Sequence, residues 1–201
     1  MGMVLALVAL SDANIARLLQ DPPLVWRAIA PDEPEAYEKA RTEKVKQTLW
    51  SKLFRRTQPM TTVPDLEMSG VEGLNTDLDK AWHGIHYLLT GTAWEGDYPR
   101  NFLVKGGTEV GDIDVGYGTA RVLTAAQTRE VLDALNGVSD EDLEARFDPQ
   151  DMVAKEIYPE IWDRDPEEDD TFGYLTEYFQ VLRGFLSQTV DEGLGLVVYF
   201  S

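Results

Sequence analysis

A chain of 201 residues, 43% of them apolar, is long enough to bury roughly 70% of its unfolded surface as one domain. It contains no cysteine, which excludes disulfides, thiol catalysis and cysteine-ligated metals and suits a reducing cytoplasm. With 18 basic against 36 acidic residues the net charge is −18. That charge repels nucleic acid and anionic membrane and attracts basic protein partners, and it leaves the oligomeric state open.

Met3 to Leu10 is an unbroken apolar run followed by Ser11 and Asp12, which predicts a buried strand delivering into a capped helix with Ile15, Leu18 and Leu19 inward. The run is too short to span a bilayer and lacks the basic residues that open a secretory signal, so a cytoplasmic protein is expected. Pro22 and Pro23 break the helix, and a short second one carries Leu24, Val25, Trp26 and Ile29. From Lys39 to Arg56 the charge reverses, with seven bases against the single acid Glu43. Val45, Leu49 and Leu53, with Trp50, form an apolar stripe along that helix. A basic amphipathic helix serves a membrane, nucleic acid or an acidic groove; because the remaining residues are so acidic, an internal or solvated role is favoured.

Both histidines fall in the stretch Asn75–Gly96. Leu78, Trp82, Ile85 and Leu89 recur at helical spacing, Thr76 with Asp79 has the form of a capping box, and Gly91 stands where a left-handed residue ends a helix. The prediction is a helix over Asp77–Thr90. His83 follows Asp79 by one turn, and Asp79, His83 and His86 share a side. They form either an acid/base pair with a second donor or a polar helix edge facing loops. Without an HExxH pattern or a cysteine, no metal and no cofactor is expected. On this reading Trp82→Ala costs about 3–5 kcal/mol, and His83→Ala roughly 0.5 kcal/mol or less.

Seven of the sixteen glycines lie between Gly91 and Gly118. Gly106-Gly107 lacks a Walker lysine, and Gly116-Tyr117-Gly118 has Arg121 where a dinucleotide fingerprint has its third glycine, so a folded loop packed around the histidine helix is predicted instead. Tyr117 to Leu123 reads as a strand. Thr124 with Gln127 opens a helix, Ser139 caps a short acidic one, and Ile157, Tyr158, Pro159 and Trp162 form an aromatic turn. The acid-rich Asp163–Asp170 is read as a solvated loop, since the EF-hand spacing is missing. Thr171–Asp191 is a long helix, and Leu194–Phe200 a closing strand. Strands at both ends and in the middle, with helices between, predict an α+β single domain. Its sheet would be small, mixed or antiparallel, with several helices packed mainly on one face.

The stretch DLDKAWHGIHYLLTG, with the opening MGMV, the later GYGTARVLT, EIYP and a tyrosine-rich last helix, resembles the YfbM-like family of bacterial proteins, a domain of unknown function. The resemblance spans nearly the whole chain and implies an α+β domain over 1–201 with no established activity. Relative to short members, about 31–65 looks like a basic helical insertion. Two functions are compatible with these residues. One is an acidic, non-enzymatic protein-binding module, as toxin-neutralising immunity proteins are. The alternative is a small-ligand binder or hydrolase-type enzyme sited between the histidine helix and the glycine tract. There Asp79 and His83 would form the base, His86 a second donor and Arg121 an anion anchor. Glu156 with Tyr158 would make the far wall, and Trp82, Tyr87 and Trp162 the aromatic ligand contacts.

Overall fold

Every residue of β1 (Leu5–Leu10) is buried in the computed structural model, which describes residues 2–49 and 65–201. A strand apolar on both faces must be covered on both. α1 (Asp12–Gln20), a 3-10 turn at Pro22–Leu24, α2 (Val25–Ile29) and α3 (Pro34–Leu49) follow. After them come β2 (Asn75–Asp77), α4 (Trp82–Thr90), β3 (Thr108–Asp114), β4 (Thr119–Leu123), α5 (Ala125–Asn136), α6 (Asp140–Arg146), α7 (Pro149–Ala154), α8 (Thr171–Asp191) and β5 (Gly195–Phe200). The five strands form one sheet in the order β2-β1-β5-β4-β3, with every pairing antiparallel.

Alternation along the strands divides the core in two. Leu5, Leu7 and Ala9 of β1, with Leu196 and Val198 of β5, meet side chains from α4 to α8. Val8, Leu10 and Val197 face the other way, onto α1, α2 and α3. The sheet is thus antiparallel rather than mixed, and five of the eight described α-helices cover one face. Tyr37 and Ala40 of α3 are buried against the smaller cluster, and the Tyr37 hydroxyl donates to Asp21 Oδ2 at 3.2 Å. The start of α3 is therefore held against the Pro22–Leu24 turn and α2 of this chain, with Ala40 the buried residue of the basic segment among the described side chains. The expected stripe of Val45, Leu49, Leu53 and Trp50 lies outside the described side chains.

Helix starts follow the capping chemistry. The Thr124 hydroxyl accepts from Gln127 N while Gln127 Oε1 accepts from Thr124 N at 2.9 Å, and Ser139 makes the same exchange with Asp142 at α6. At α1 Ser11 caps Asn14 N, and a second carboxylate completes the job: Glu72 accepts from Ser11 N at 2.8 Å, Asn14 Nδ2 at 2.9 Å and Ser69 N at 3.0 Å. Burial alone would raise the Glu72 pKa, but these donors outweigh it and hold the carboxyl down to about 2. Its folded pKa lies below its unfolded one, so the stabilisation is complete above the unfolded value near 4.3 and is lost as pH falls toward 2. Glu72→Gln should remove about 1–2 kcal/mol at pH 7, and urea titrations of the two proteins should converge near pH 2; curves that remain parallel would refute this linkage.

The entry to α4 differs from its sequence pattern. Thr76 sits in β2 opposite Leu7, Leu78 N donates to Leu5 O at 2.9 Å, and Asp79 adopts a left-handed φ of 42°. The helix therefore starts at Trp82 without a side-chain cap, and the expected Thr76–Asp79 capping box is not formed. Pairing to β1 took those residues first. The far end conforms: Gly91 is left-handed, with its N–H on Tyr87 O at 2.7 Å.

Candidate functional site

Residues Trp82 to Leu89 are all buried, so α4 has no solvent face. A Cβ at Gly84 would lie 2.6 Å from Leu175 Cδ2 and 2.8 Å from Trp162 Cη2; glycine here is what lets α8 and the aromatic turn close on the helix. Both histidines are 0% exposed, so they form no polar edge, although His83 does bond to the loops beside it, as that reading expected.

His83 is clamped between two backbone groups. Its Nδ1 accepts from Tyr158 N at 3.0 Å, and a backbone amide only donates. The proton therefore resides on Nε2, which donates to Ala93 O at 2.8 Å. This is a neutral imidazole with both nitrogens used, and burial lowers its pKa against the opposing effect of the Ala93 carbonyl. The expected pairing with Asp79 is not formed. Asp79 Oδ2 instead accepts from the Tyr174 hydroxyl at 2.8 Å, and that hydroxyl accepts from Lys80 N at 3.2 Å. The tyrosine pKa is raised by its own burial and then by Asp79.

His86 lies one turn on, its ring 6.4 Å from that of His83. Nε2 is 3.4 Å from Thr90 Oγ1, while Nδ1 makes no hydrogen bond among the described residues. Burial and then the neighbouring His83 take its pKa down to about 4.

Of the remaining candidates Trp162 and Tyr87 stay at α4 with their polar groups already paired, while Glu156 and Arg121 serve elsewhere. Glu156 is exposed and occupies a left-handed position at φ 55° just past α7. There Glu156 N bonds Val153 O and Ile157 N bonds Met152 O, each at 3.0 Å. Its contribution is a Schellman-type helix ending that delivers Ile157 and Tyr158 to α4. Arg121 is not an anion anchor poised for substrate: Nη1 donates to Phe102 O and Gly106 O at 2.9 Å, and Nη2 to Leu103 O at 2.7 Å. Burial lowers its pKa to about 10, and the guanidinium ties the Phe102–Gly106 turn to β4. Tyr87 donates to Asp151 Oδ2 at 2.6 Å. Trp162 donates from Nε1 to Ile157 O, also at 2.6 Å, and is 1% exposed.

What the fold does assemble is an aromatic cluster centred on Trp82. The indole is 0% exposed, donates from Nε1 to Met3 O at 3.1 Å and stacks on His83 at 4.7 Å and 9°. Phe200 meets it edge-on at 4.8 Å, and Tyr158 lies 6.1 Å away. Trp94, which the sequence reading passed over, lies 4.4 Å from the His83 ring and 6.0 Å from Trp82. It is nonetheless 51% exposed. A tryptophan inside the polar, glycine-flanked Gly91–Gly96 was the available signal, since a loop residue of that size either plugs a core or is displayed. His83 in this cluster, and Arg121 outside it, direct their donors and acceptors to backbone groups. Among the described residues no set of three or more His, Asp and Glu side chains is placed to hold a metal, and no described helix is long and apolar enough to cross a membrane.

No curated protein matches the chain. A crystal structure from Escherichia coli, that of a protein of unknown function, YfbM, is similar over 98% of this chain and 99% of its own with a TM-score of 0.61 and 15% identity. At that identity the likeness is one of fold. The model of a family described as a domain of unknown function, DUF1877, matches residues 1–199. The chain therefore belongs to the DUF1877 family, whose function is unknown.

Proposed function

We propose that this protein is a non-enzymatic, acidic module of the cytoplasm that binds a basic protein partner, in the manner of immunity proteins that neutralise toxins. The observation that carries the reading is the state of the histidine helix. The groups best suited to acid/base work are enclosed in a packed core, His83 with both nitrogens spent on Tyr158 N and Ala93 O. The chain's charge of −18, by contrast, is available to a partner, with acids exposed along α6 and through Asp163–Glu168.

Such a complex would form by electrostatic steering, so its association rate should fall steeply with ionic strength while its dissociation rate changes little. Affinity purification of the full chain from its native host at low salt tests the reading. A stoichiometric basic protein whose association slows as salt rises is expected. Recovery of none, or of a partner with a salt-independent on-rate, removes it.

The small-ligand alternative draws on one observation, the buried His86 Nδ1 and Asn101 Oδ1 that make no hydrogen bond among the described residues. Ordered water meets the same need in most folded proteins.

A further inference from the structure

We infer that the segment Thr92–Pro99 is the surface on which the partner docks, with Trp94 as its anchor, and that it takes an arginine- or lysine-bearing segment of a basic protein. This rests on the binding reading above and adds to it a place and a chemistry.

The first ground is the display of aromatic surface. Trp82 and Trp162 lie in the core at 0% and 1% exposure, whereas Trp94 and Tyr98, on one short loop, are 51% and 39% exposed. Large aromatic side chains left in water on an otherwise polar loop are the residues that interfaces use as anchors.

The second ground is that the loop is held rigid. His83 Nε2 donates to Ala93 O at 2.8 Å. The Thr92 hydroxyl donates to Glu95 O at 2.8 Å and accepts from Glu95 N at 3.1 Å. Asn101 Nδ2 donates to Gly96 O at 2.7 Å, and the Tyr98 hydroxyl donates to Gln127 O at 3.0 Å. Gly96 sits at φ +117°, where a Cβ would come 2.7 Å from Thr90 Cγ2, so the turn is closed down onto α4 as only glycine permits. One side of the Trp94 ring rests on His83 at 4.4 Å, leaving the remainder for a partner. An anchor whose backbone is already fixed loses little entropy on binding. The buried histidine then has a purpose without chemistry: it is the floor and the tether of the loop.

The third ground is charge. Glu95 and Asp97 are exposed on either side of the segment's centre, and Glu130 lies beside the Tyr98 hydroxyl. Lys105 pairs with Glu95 at 2.5 Å, but both side chains remain largely exposed at 45% and 77%. A flat indole next to carboxylates is the chemistry that recognises guanidinium or ammonium groups, through the ring face and charge-assisted hydrogen bonds together.

The test pans a random peptide-display library against the full chain, then measures the selected peptides against Trp94→Ala, Trp94→Phe and the double variant Asp97→Asn with Glu130→Gln. Trp94 is half-exposed and the two carboxylates lie on exposed residues, and circular dichroism with urea titration, run on each variant, shows that it is folded under the binding conditions. Enrichment of Arg- and Lys-rich peptides is expected, with a loss of about tenfold or more in affinity for Trp94→Ala. The double variant should bind more weakly, with a flatter salt dependence, and Trp94→Phe should retain most of the binding. No enrichment, enrichment of acidic or neutral peptides, or equal affinity for Trp94→Ala overturns the inference. If the native-host purification yields a basic partner that binds Trp94→Ala as tightly as wild type, this surface is wrong while the binding reading stands. If it yields none, both fall.

Discussion

Trp82→Ala should remove about 4 kcal/mol of unfolding free energy, the middle of the range of about 3–5 kcal/mol for a buried aromatic truncated to alanine. The indole is wholly buried, and its neighbours cannot collapse into the space. His83 is pinned by two backbone groups, and Phe200 is fixed in β5 opposite Leu5. Truncation also strands Met3 O, which now accepts from Nε1, adding the cost of a carbonyl left without its partner. A domain of this kind holds about 5–15 kcal/mol in all, so the variant should be folded but unstable. Urea denaturation reads the effect as a lower midpoint at constant slope. A variant within about 1 kcal/mol of wild type would mean that the indole is not a core residue.

His83→Ala should cost about 3 kcal/mol, several times what a solvated helix edge would give. It creates a cavity and leaves Tyr158 N and Ala93 O, both on half-buried residues, without their partner, each worth about 1 kcal/mol or more when stranded. The two histidines also set an acid limit. Their folded pKa values lie below the ordinary 6.5, that of His86 at about 4. The unfolded chain therefore binds protons that the folded chain refuses. Stability is complete above pH 6.5 and declines as pH falls toward 4, by roughly 3 kcal/mol for His86 alone. His86→Phe should remove its share of the decline in that window, leaving that of His83, and leave the lower Glu72 window intact. A wild-type profile level between pH 6.5 and 4 would show that the histidines are reached by solvent.

The elements legible in the sequence were those whose signals are local. The Thr124–Gln127 exchange is visible as two residues three apart, and α5 begins where they place it. The helix read over Thr171–Asp191 is α8 with those bounds, its inner face running through Leu175, Leu182 and Thr189. β2 was hidden because Asn75, Thr76 and Asp77 carry no apolar alternation and become a strand only through hydrogen bonds to β1. Thr76 and Asp79, which look like a cap, were spent in that pairing and the left-handed turn after it. The candidate site failed in the same way. Asp79, His83 and His86 share a side only on an ideal helix running from Asp77, and Arg121 and Tyr158 make long-range bonds that no spacing encodes. One clue was readable: from Trp82 to Thr90 no Lys, Arg, Asp or Glu occurs, and a helix without a charged residue has no solvent face to offer.

The central strand of the sheet, β5, is the last of the described strands, and its neighbour β1 is the first. Leu5 stands opposite Phe200, and Leu10 opposite Gly195. A ribosome delivering this chain thus releases β1 long before its main partner exists, and β1 carries an apolar surface on both sides throughout. Closing that pair spans almost the whole chain, so its loop entropy must be met before either half of the core is sealed. Folding should accordingly be a late, all-or-none and comparatively slow event, rather than a growth from the amino-terminal end. Truncation of β5 should leave no stable subdomain but an aggregation-prone chain with an unpaired edge.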